Sequence, residues 1–225
     1  MLRRATVVVA VAILACMAFS AAARAQTNDV YWANYFSNNF VGPNTAAYDQ
    51  FVYIVNPGAQ GAPINPLTGL VSTAGYLCAN LYVFDNRQEM LECCSCPISP
   101  NGLITLSLKK NLLANPLTAV VPNSGVIKLV SSLPISVTPN GVSPTTATAV
   151  CDAGEIGSAG ETILPDLRAW ATQTQIPASG TYVTTQSVFA DAPLSAAEGA
   201  FLPLACQMVR YLGSGQGVCT CGGTT

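Results

Sequence analysis

The chain has 225 residues, only 9% of them charged, and its composition includes nine cysteines and no histidine. The absence of histidine excludes Ser-His-Asp and Cys-His catalysis, His-ligated zinc and c-type haem attachment. Three of the nine basic residues (Arg3, Arg4 and Arg24) lie in the leader described next. That leaves six basic against eleven acidic residues, a net charge of −5, which excludes a basic nucleic-acid-binding protein.

The N-terminus has the three parts of an export signal. Leu2-Arg3-Arg4 is a short positive region, residues 5–19 are apolar, and Ala23-Arg24-Ala25 matches the small-x-small pattern that signal peptidase cleaves. We therefore predict a signal peptide over residues 1–25 and a mature chain that begins at Gln26. A lipoprotein cleaved before Cys16 is the alternative. A stable membrane span is not expected, because no stretch reaches twenty apolar residues.

Residues 26–42 form an N-terminal arm that is rich in aromatic side chains and almost uncharged. Its aromatic residues are Tyr31, Trp32, Tyr35, Phe36 and Phe40. Such a segment either docks as a tail on the core of its own chain or docks as an assembly arm on a neighbouring subunit by adding a strand to its sheet. The sequence leaves both alternatives open.

Residues 43–150 are predicted to form a β-sandwich core. Short runs of β-forming residues separated by Pro, Gly and Asn turns are typical of this architecture. One such turn, Ser99-Pro100-Asn101-Gly102, combines a proline that fixes φ with an Asn-Gly pair that accepts positive φ. The predicted strands are Phe51–Val55, Leu77–Phe84, Leu103–Leu108 and Val126–Val130.

Residues 151–225 change character and are predicted to form a helical and strand C-terminal extension that disulfides clip to the core. Helical spacing of apolar residues predicts a first short helix from Pro165 to Thr174, and a run of β-formers predicts a strand from Thr181 to Phe189. The expected fold class is therefore mainly β: a disulfide-stapled immunoglobulin-like β-sandwich with two short C-terminal helices packed on it.

The second helix is predicted from Ser195 to Leu212. Ser195 and Glu198 form a capping box at its start, and Pro203 predicts a kink or break near Gly199. Its predicted apolar face consists of Phe201, Leu204, Ala205, Met208, Val209 and Leu212.

Eight cysteines remain once the leader is removed. An even number in an exported chain predicts up to four disulfides, whose connectivity the sequence leaves open. Residues i and i+2 share one face of a strand, so Cys94 and Cys96 are placed to meet Cys219 and Cys221. The rival interpretation is a thiolate metal or redox site, since Cys clusters suit Cu(I), Zn or Fe–S. The candidate disulfide residues are Cys78, Cys93, Cys94, Cys96, Cys151, Cys206, Cys219 and Cys221.

The densest acidic group is Asp85, Glu89 and Glu92, which follows a predicted strand. Paired carboxylates at strand ends are able to carry glycoside chemistry. A solvated loop is the simpler interpretation.

Several short segments together resemble a known protein family. They are Leu77-Cys78-Ala79, Tyr82-Val83-Phe84-Asp85, Glu92-Cys93-Cys94-Ser95-Cys96, Asn115-Pro116-Leu117-Thr118, Leu167-Arg168-Ala169-Trp170, Gly213-Ser214-Gly215 and Cys219-Thr220-Cys221-Gly222. Through them the span from Phe51 to Gly222 resembles an uncharacterised family of exported, cysteine-rich bacterial proteins of unknown function. The resemblance implies export and a stapled domain, and it carries over no catalytic residue.

Together these observations favour an exported structural or interaction protein of the cell surface or extracellular space, with the periplasm as a second location. Its sharper form is a filament or surface-layer subunit that assembles by strand addition. We expect self-association or another surface protein as the partner, and no nucleic acid, cofactor, metal or catalytic residue. The alternatives are a secreted carbohydrate-binding module or carboxylate-based glycan-active enzyme, and a periplasmic Cys-cluster metal or redox protein.

Overall fold

A computed structural model describes residues 30–37, 49–61, 75–139, 147–157, 161–175, 183–212 and 215–222. The predicted signal peptide, Phe40 of the arm and the first two residues of the strand predicted from Thr181 lie outside the described residues. The strands are β1 (Tyr31–Ser37), β2 (Phe51–Val55), β3 (Leu77–Asp85), β4 (Met90–Ile98), β5 (Leu103–Ser107), β6 (Ser124–Ser132), β7 (Ser136–Pro139), β8 (Ala147–Val150), β9 (Arg168–Gln175), β10 (Val183–Val188) and β11 (Ala190–Asp191), and the α-helix is α1 (Ala196–Leu212).

The strands form two antiparallel sheets and a two-stranded ribbon. The larger sheet has the order β11-β1-β6-β3-β4, the smaller sheet has the order β10-β9-β2-β5, and β7 pairs with β8. Side chains from both sheets interdigitate in one apolar core, with Trp32 and Leu81 from the larger sheet meeting Ile54 and Leu106 from the smaller. The described chain is therefore mainly β and sandwich-like, as predicted.

The other face of the larger sheet is covered by α1. Tyr82 and Cys93 of the sheet pack against Leu202, Cys206 and Val209 of the helix in a second apolar cluster. The helix, the larger sheet and the smaller sheet thus form three layers.

The helix predicted from Pro165 to Thr174 is wrong, because this segment contains β9. Buried residues recur at every second position from Leu167 to Gln173 (Leu167, Ala169, Ala171 and Gln173), with Thr174 buried as well; a repeat of two is the period of a strand. The strand lies between β2 and β10, with Trp170 opposite both Tyr53 and Val188. Pairing on both edges outweighs the helical spacing of a few apolar residues. The described part of the chain therefore contains one α-helix, not two, together with a π-helical turn at Leu108–Leu112.

The second predicted helix is confirmed as α1, and Ser195 caps it by accepting a 3.1 Å hydrogen bond from the Glu198 N–H. Of the kink or break predicted near Gly199, the break is wrong, because the helix continues through Pro203; the kink stays a prediction. Leu202 and Cys206 hold the turns on either side of the proline against the sheet.

Two backbone positions, one in a turn and one in a strand, depend on the residue that occupies them. In the predicted turn, Asn101 adopts φ 60° and the Gly102 N–H donates to the Ser99 carbonyl at 2.9 Å. In β6, a Cβ on Gly125 would lie only 1.9 Å from the carbonyl oxygen of Phe84. Glycine is therefore required at the position of β6 that pairs with the end of β3.

Candidate functional site

The eight cysteines of the described residues are joined in four disulfides. The pairs are Cys78–Cys151, Cys93–Cys206, Cys94–Cys219 and Cys96–Cys221, which close loops with sequence separations of 73 to 125 residues. The two CxC segments therefore meet in the register that the i, i+2 spacing indicated. Loops of this length restrict an unfolded chain by about 4–5 kcal/mol each in the chain-entropy account. Four disulfides are consistent with an oxidising compartment.

The C-terminal segment covers the outer edge of β4. The Cys93 N–H donates to the Gly217 carbonyl at 3.0 Å, and the Cys219 N–H donates back to the Cys93 carbonyl at 3.3 Å. The Thr220 N–H donates to the carbonyl of Asn111, in the segment that follows β5, at 3.0 Å. Two disulfides and this short pairing thus protect one edge of the larger sheet from further strand pairing.

A cleft of about 210 Å³ lies where the disulfides converge. Its walls include Cys93 with Cys206, Cys94 with Cys219, and Cys151 and Cys221 from the remaining two pairs, and Asp152 and Arg210 form an ion pair beside it. The sulfurs of Cys94, Cys96 and Cys221 all lie within 4.8 Å of one another. In the oxidised protein these are disulfide sulfurs, and a soft metal ion is bound by thiolates. While their disulfides are intact, the cysteines that line the cleft therefore have a structural role.

The three residues of the predicted acidic cluster, Asp85, Glu89 and Glu92, do not lie at one site. Asp85 Oδ1 accepts hydrogen bonds from the Arg87 and Glu89 N–H groups at 2.8 and 2.9 Å and so closes the β3–β4 hairpin. Glu89 lies exposed in that turn, whereas Glu92 is fully buried in β4 opposite Val83. The structure therefore gives Asp85 a local structural role and separates Glu92 from the solvent.

Glu92 has one satisfied and one unsatisfied carboxyl oxygen. Oε1 accepts a 2.8 Å hydrogen bond from the Asn115 N–H, and Oε2 has no hydrogen-bond partner among the described residues. Burial raises the pKa of Glu92 to about 7, against the smaller lowering effect of the Asn115 bond. A group that the sequence suggested as an exposed acid is thus a proton-binding group inside the fold.

A second buried carboxyl, Glu161, belongs to a polar network that the sequence did not indicate. Its Oε2 accepts from the Ser132 hydroxyl at 2.5 Å, and its Oε1 accepts from the Asp152 N–H. The Ser132 hydroxyl in turn accepts from the Asn80 side-chain amide at 2.8 Å. Burial raises the pKa of Glu161, and the hydrogen bonds oppose this effect. The network joins the outer face of the larger sheet to the segment that carries Cys151.

The structure places the described residues of the predicted assembly arm inside their own chain. β1 lies between β6 and β11, and Trp32 and Phe36 are buried in the core between the sheets, while Tyr35 is exposed. Tyr31 packs on the other face, toward α1. Of the two alternatives left open by the sequence, this arrangement is the tail docked on its own core. The residues of β1 are therefore part of the fold of their own chain and do not form a free arm.

β10 is the outer strand of the smaller sheet. It pairs with β9 on one side, and no other described strand pairs with its second edge. Val183, Thr184, Thr185, Gln186 and Val188 are all exposed, and Ser187 is half-buried. The sequence predicted a strand here but gave no signal that it would lie at an edge.

The outer face of α1 is the second exposed surface. The predicted apolar face of this helix mixed two different faces. Leu202, Cys206 and Val209 are buried against the larger sheet, whereas Leu204 and Met208 are exposed to solvent. The buried face could have been found from the i, i+4, i+7 spacing of those three residues.

Comparison with known proteins finds no family model, curated protein or solved structure that matches the chain. Within the described residues, none of the helices has both the length and the apolarity needed to cross a bilayer.

Proposed function

We propose that this protein is an exported structural subunit that associates with further copies of itself by strand addition, with β10 as the edge that pairs. The single observation that supports this proposal is the composition of that edge. Val-Thr-Thr-Gln-Ser-Val contains no charge and no proline, and charged residues and proline are the usual means by which proteins protect an exposed edge. In the larger sheet, the edge at β4 is covered by the C-terminal segment, so one molecule contains both a covered and an uncovered sheet edge.

The pairing of β10 indicates which of its backbone groups are open to a partner. The Phe189 N–H donates to the Ala169 carbonyl at 3.0 Å, in the same register that places Val188 opposite Trp170. Hydrogen-bonding residues alternate along an antiparallel strand. The N–H and C=O groups of Thr184 and Gln186 consequently point away from β9 and toward solvent.

The partner we propose is β10 of a second copy, aligned antiparallel. The strand has no charge that would oppose its own copy, and Val and Thr are strong β-formers. The low charge of the whole chain, 9% of residues, also lowers the repulsion between copies. Export to the cell surface or extracellular space is supported by the predicted signal peptide and by the four disulfides. An immunoglobulin-like sandwich is our proposal for the fold class, and the two antiparallel sheets around one core support it. We further propose a non-enzymatic role that needs no cofactor.

Proline at position 186 tests the proposal, because it removes an N–H that points outward and leaves the hydrogen bonds to β9 in place. The matched control is Gln186→Ala, which removes the same side chain but keeps the N–H. An antiparallel β10–β10 contact relates two copies by a twofold axis. We therefore expect sedimentation equilibrium to show association of the disulfide-intact wild type and of Gln186→Ala. For Gln186→Pro we expect smaller species than for Gln186→Ala at the same protein concentration. The proposal is wrong if the wild type remains monomeric at all concentrations, or if Gln186→Pro assembles as well as Gln186→Ala.

A further inference from the structure

The outer face of α1 carries a continuous stripe of exposed apolar side chains. The exposed fractions are 47% for Phe201, 57% for Leu204, 54% for Met208, 91% for Tyr211 and 69% for Leu212. Exposed apolar residues scattered singly are ordinary on a soluble protein, whereas a contiguous set on one helix marks a contact surface. The helix already packs on the sheet with its other face, so this stripe is an additional surface.

The spacing of the stripe is that of a helix-pairing seam. Phe201, Leu204, Met208 and Tyr211 are separated by three, four and three residues, the pattern of the a and d positions of a heptad. Leu212 widens the stripe at its C-terminal end. A seam with this spacing is complementary to a copy of itself, which allows two helices to pack side by side.

The charged residues of α1 do not oppose such a contact. Glu198 pairs with Lys128, and Arg210 pairs with Asp152, each within the same chain. Both charges are therefore already neutralised by a neighbour. The helix also lacks the row of Lys and Arg residues by which amphipathic helices bind anionic lipid. These observations favour a protein surface over a lipid surface as the occupant.

A groove next to the stripe provides a place for a protruding side chain. It has a volume of about 720 Å³ and lies between the C-terminal half of α1 and the segment that includes Asp152 and Glu155. Its helical wall combines apolar and polar side chains: Leu204, Gln207, Met208, Arg210, Tyr211 and Leu212. Tyr211, the most exposed residue of the stripe, stands at the edge of this groove. The groove has room for a protruding aromatic ring such as that of Tyr211 from a second copy.

The area of the stripe is sufficient for a weak but specific dimer. With about 150–250 Å² for each large side chain, the exposed fractions correspond to roughly 600 Å² per copy. A pair would then bury about 1,200 Å², at the lower end of the range for specific interfaces.

We infer that the α1 faces of two copies pack against each other about a twofold axis. This inference extends the proposed function, because a single twofold contact produces only a closed dimer. Two twofold contacts on different sides of the subunit, one at β10 and one at α1, produce an open chain in which the contacts alternate.

The experiment separates the two contacts by blocking β10 first. In the Gln186→Pro background, we expect sedimentation equilibrium of the disulfide-intact protein to show a reversible dimer. Adding Leu204→Glu places a charge in the centre of the stripe at an exposed position, and we expect the dimer dissociation constant to rise at least about tenfold. Ala196→Glu is the matched control, since it adds the same charge at an exposed site in the first turn, away from the stripe. It should leave the dimer unchanged, and Met208→Leu should also retain it.

Three outcomes would overturn the inference. The first is a Gln186→Pro protein that is monomeric at every concentration, while the wild type still assembles. The second is an equal effect of Leu204→Glu and Ala196→Glu. The third is a monomer whose sedimentation with phosphatidylglycerol vesicles depends on Leu204, because the face would then bind lipid. A wild type that forms no filaments, with an α1-dependent dimer in the Gln186→Pro background, would refute the proposed function and retain this inference.

Discussion

Replacing Glu92 with glutamine tests whether a buried carboxyl makes the stability of this fold depend on pH. The wild-type side chain is fully buried, with one oxygen bonded to the Asn115 N–H and the other without a partner among the described residues. Burial raises its pKa from 4.5 to about 7. The unfolded chain releases this proton near pH 4.5, so between these two values the folded protein binds more protons than the unfolded protein.

The direction of the effect follows from this difference in proton binding. The contribution of Glu92 to stability is fully present below pH 4.5, decreases as the pH rises, and is lost above about pH 7. The difference between the folded and unfolded pKa values corresponds to a decrease of about 3 kcal/mol in the free energy of unfolding. Glutamine has nearly the same shape as glutamic acid and does not titrate.

We therefore expect Glu92→Gln to match the wild type to within about 1 kcal/mol at pH 5 and to be more stable by about 2–3 kcal/mol at pH 8. The assay is urea denaturation of the disulfide-intact proteins across this range. Glu161 is also buried and is present in both proteins, so its contribution cancels in the comparison. Glu89→Gln, which changes an exposed acid in the neighbouring turn, is the control and should retain the wild-type pH dependence. If Glu92→Gln loses stability between pH 5 and pH 8 as steeply as the wild type, the reasoning is refuted.

Three further variants test the packing and one of the disulfides. Gly125→Ala should lower the free energy of unfolding by more than about 2 kcal/mol, because the Cβ of the new alanine would overlap the Phe84 carbonyl oxygen. An unchanged denaturation midpoint would contradict the close approach of β6 and β3. Gly199→Ala should raise the free energy of unfolding by about 0.5–1 kcal/mol, since the added Cβ has only ordinary contacts in a helix; a loss of stability would show that this site lacks the space. Replacing Cys93 and Cys206 together by serine should lower the free energy of unfolding by about 2–5 kcal/mol. An unchanged midpoint in thermal unfolding without reductant would show that this disulfide contributes nothing to stability.

Local features of the sequence were sufficient wherever chain neighbours decide the structure. The strand at Phe51–Val55 was predicted with its observed bounds, because a run of β-formers ends at an Asn-Pro-Gly turn. The cap at Ser195 and the positive φ at Asn101 were also correct, since each depends on residues within a few positions. The meeting of Cys94 and Cys96 with Cys219 and Cys221 follows from the period of a strand, although the sequence did not decide the connectivity.

The site predictions were less successful, because burial depends on residues that are distant in the sequence. Glu92 has the same side chain as Glu89 three residues earlier, yet only Glu92 lies on the face of β4 that turns into the core. The sequence shows that the N-terminal arm is aromatic and almost uncharged, and it leaves open where the arm docks. Only the pairing of β1 with β6 and β11 decides that the arm docks on its own chain.

The sequence by itself determined the composition of the chain: few charges, no histidine, an even set of cysteines in the predicted mature chain, and an uncharged β-forming segment at Val183–Val188. The tertiary structure alone decided which of these segments is exposed. Arg168–Gln175 became a strand because β2 and β10 supply hydrogen bonds on both of its sides. β10 became an edge because the described strands extend the sheet on only one side of it. Hydrogen bonding between strands and the burial of side chains are properties of neighbours in space, and a single sequence does not specify those neighbours.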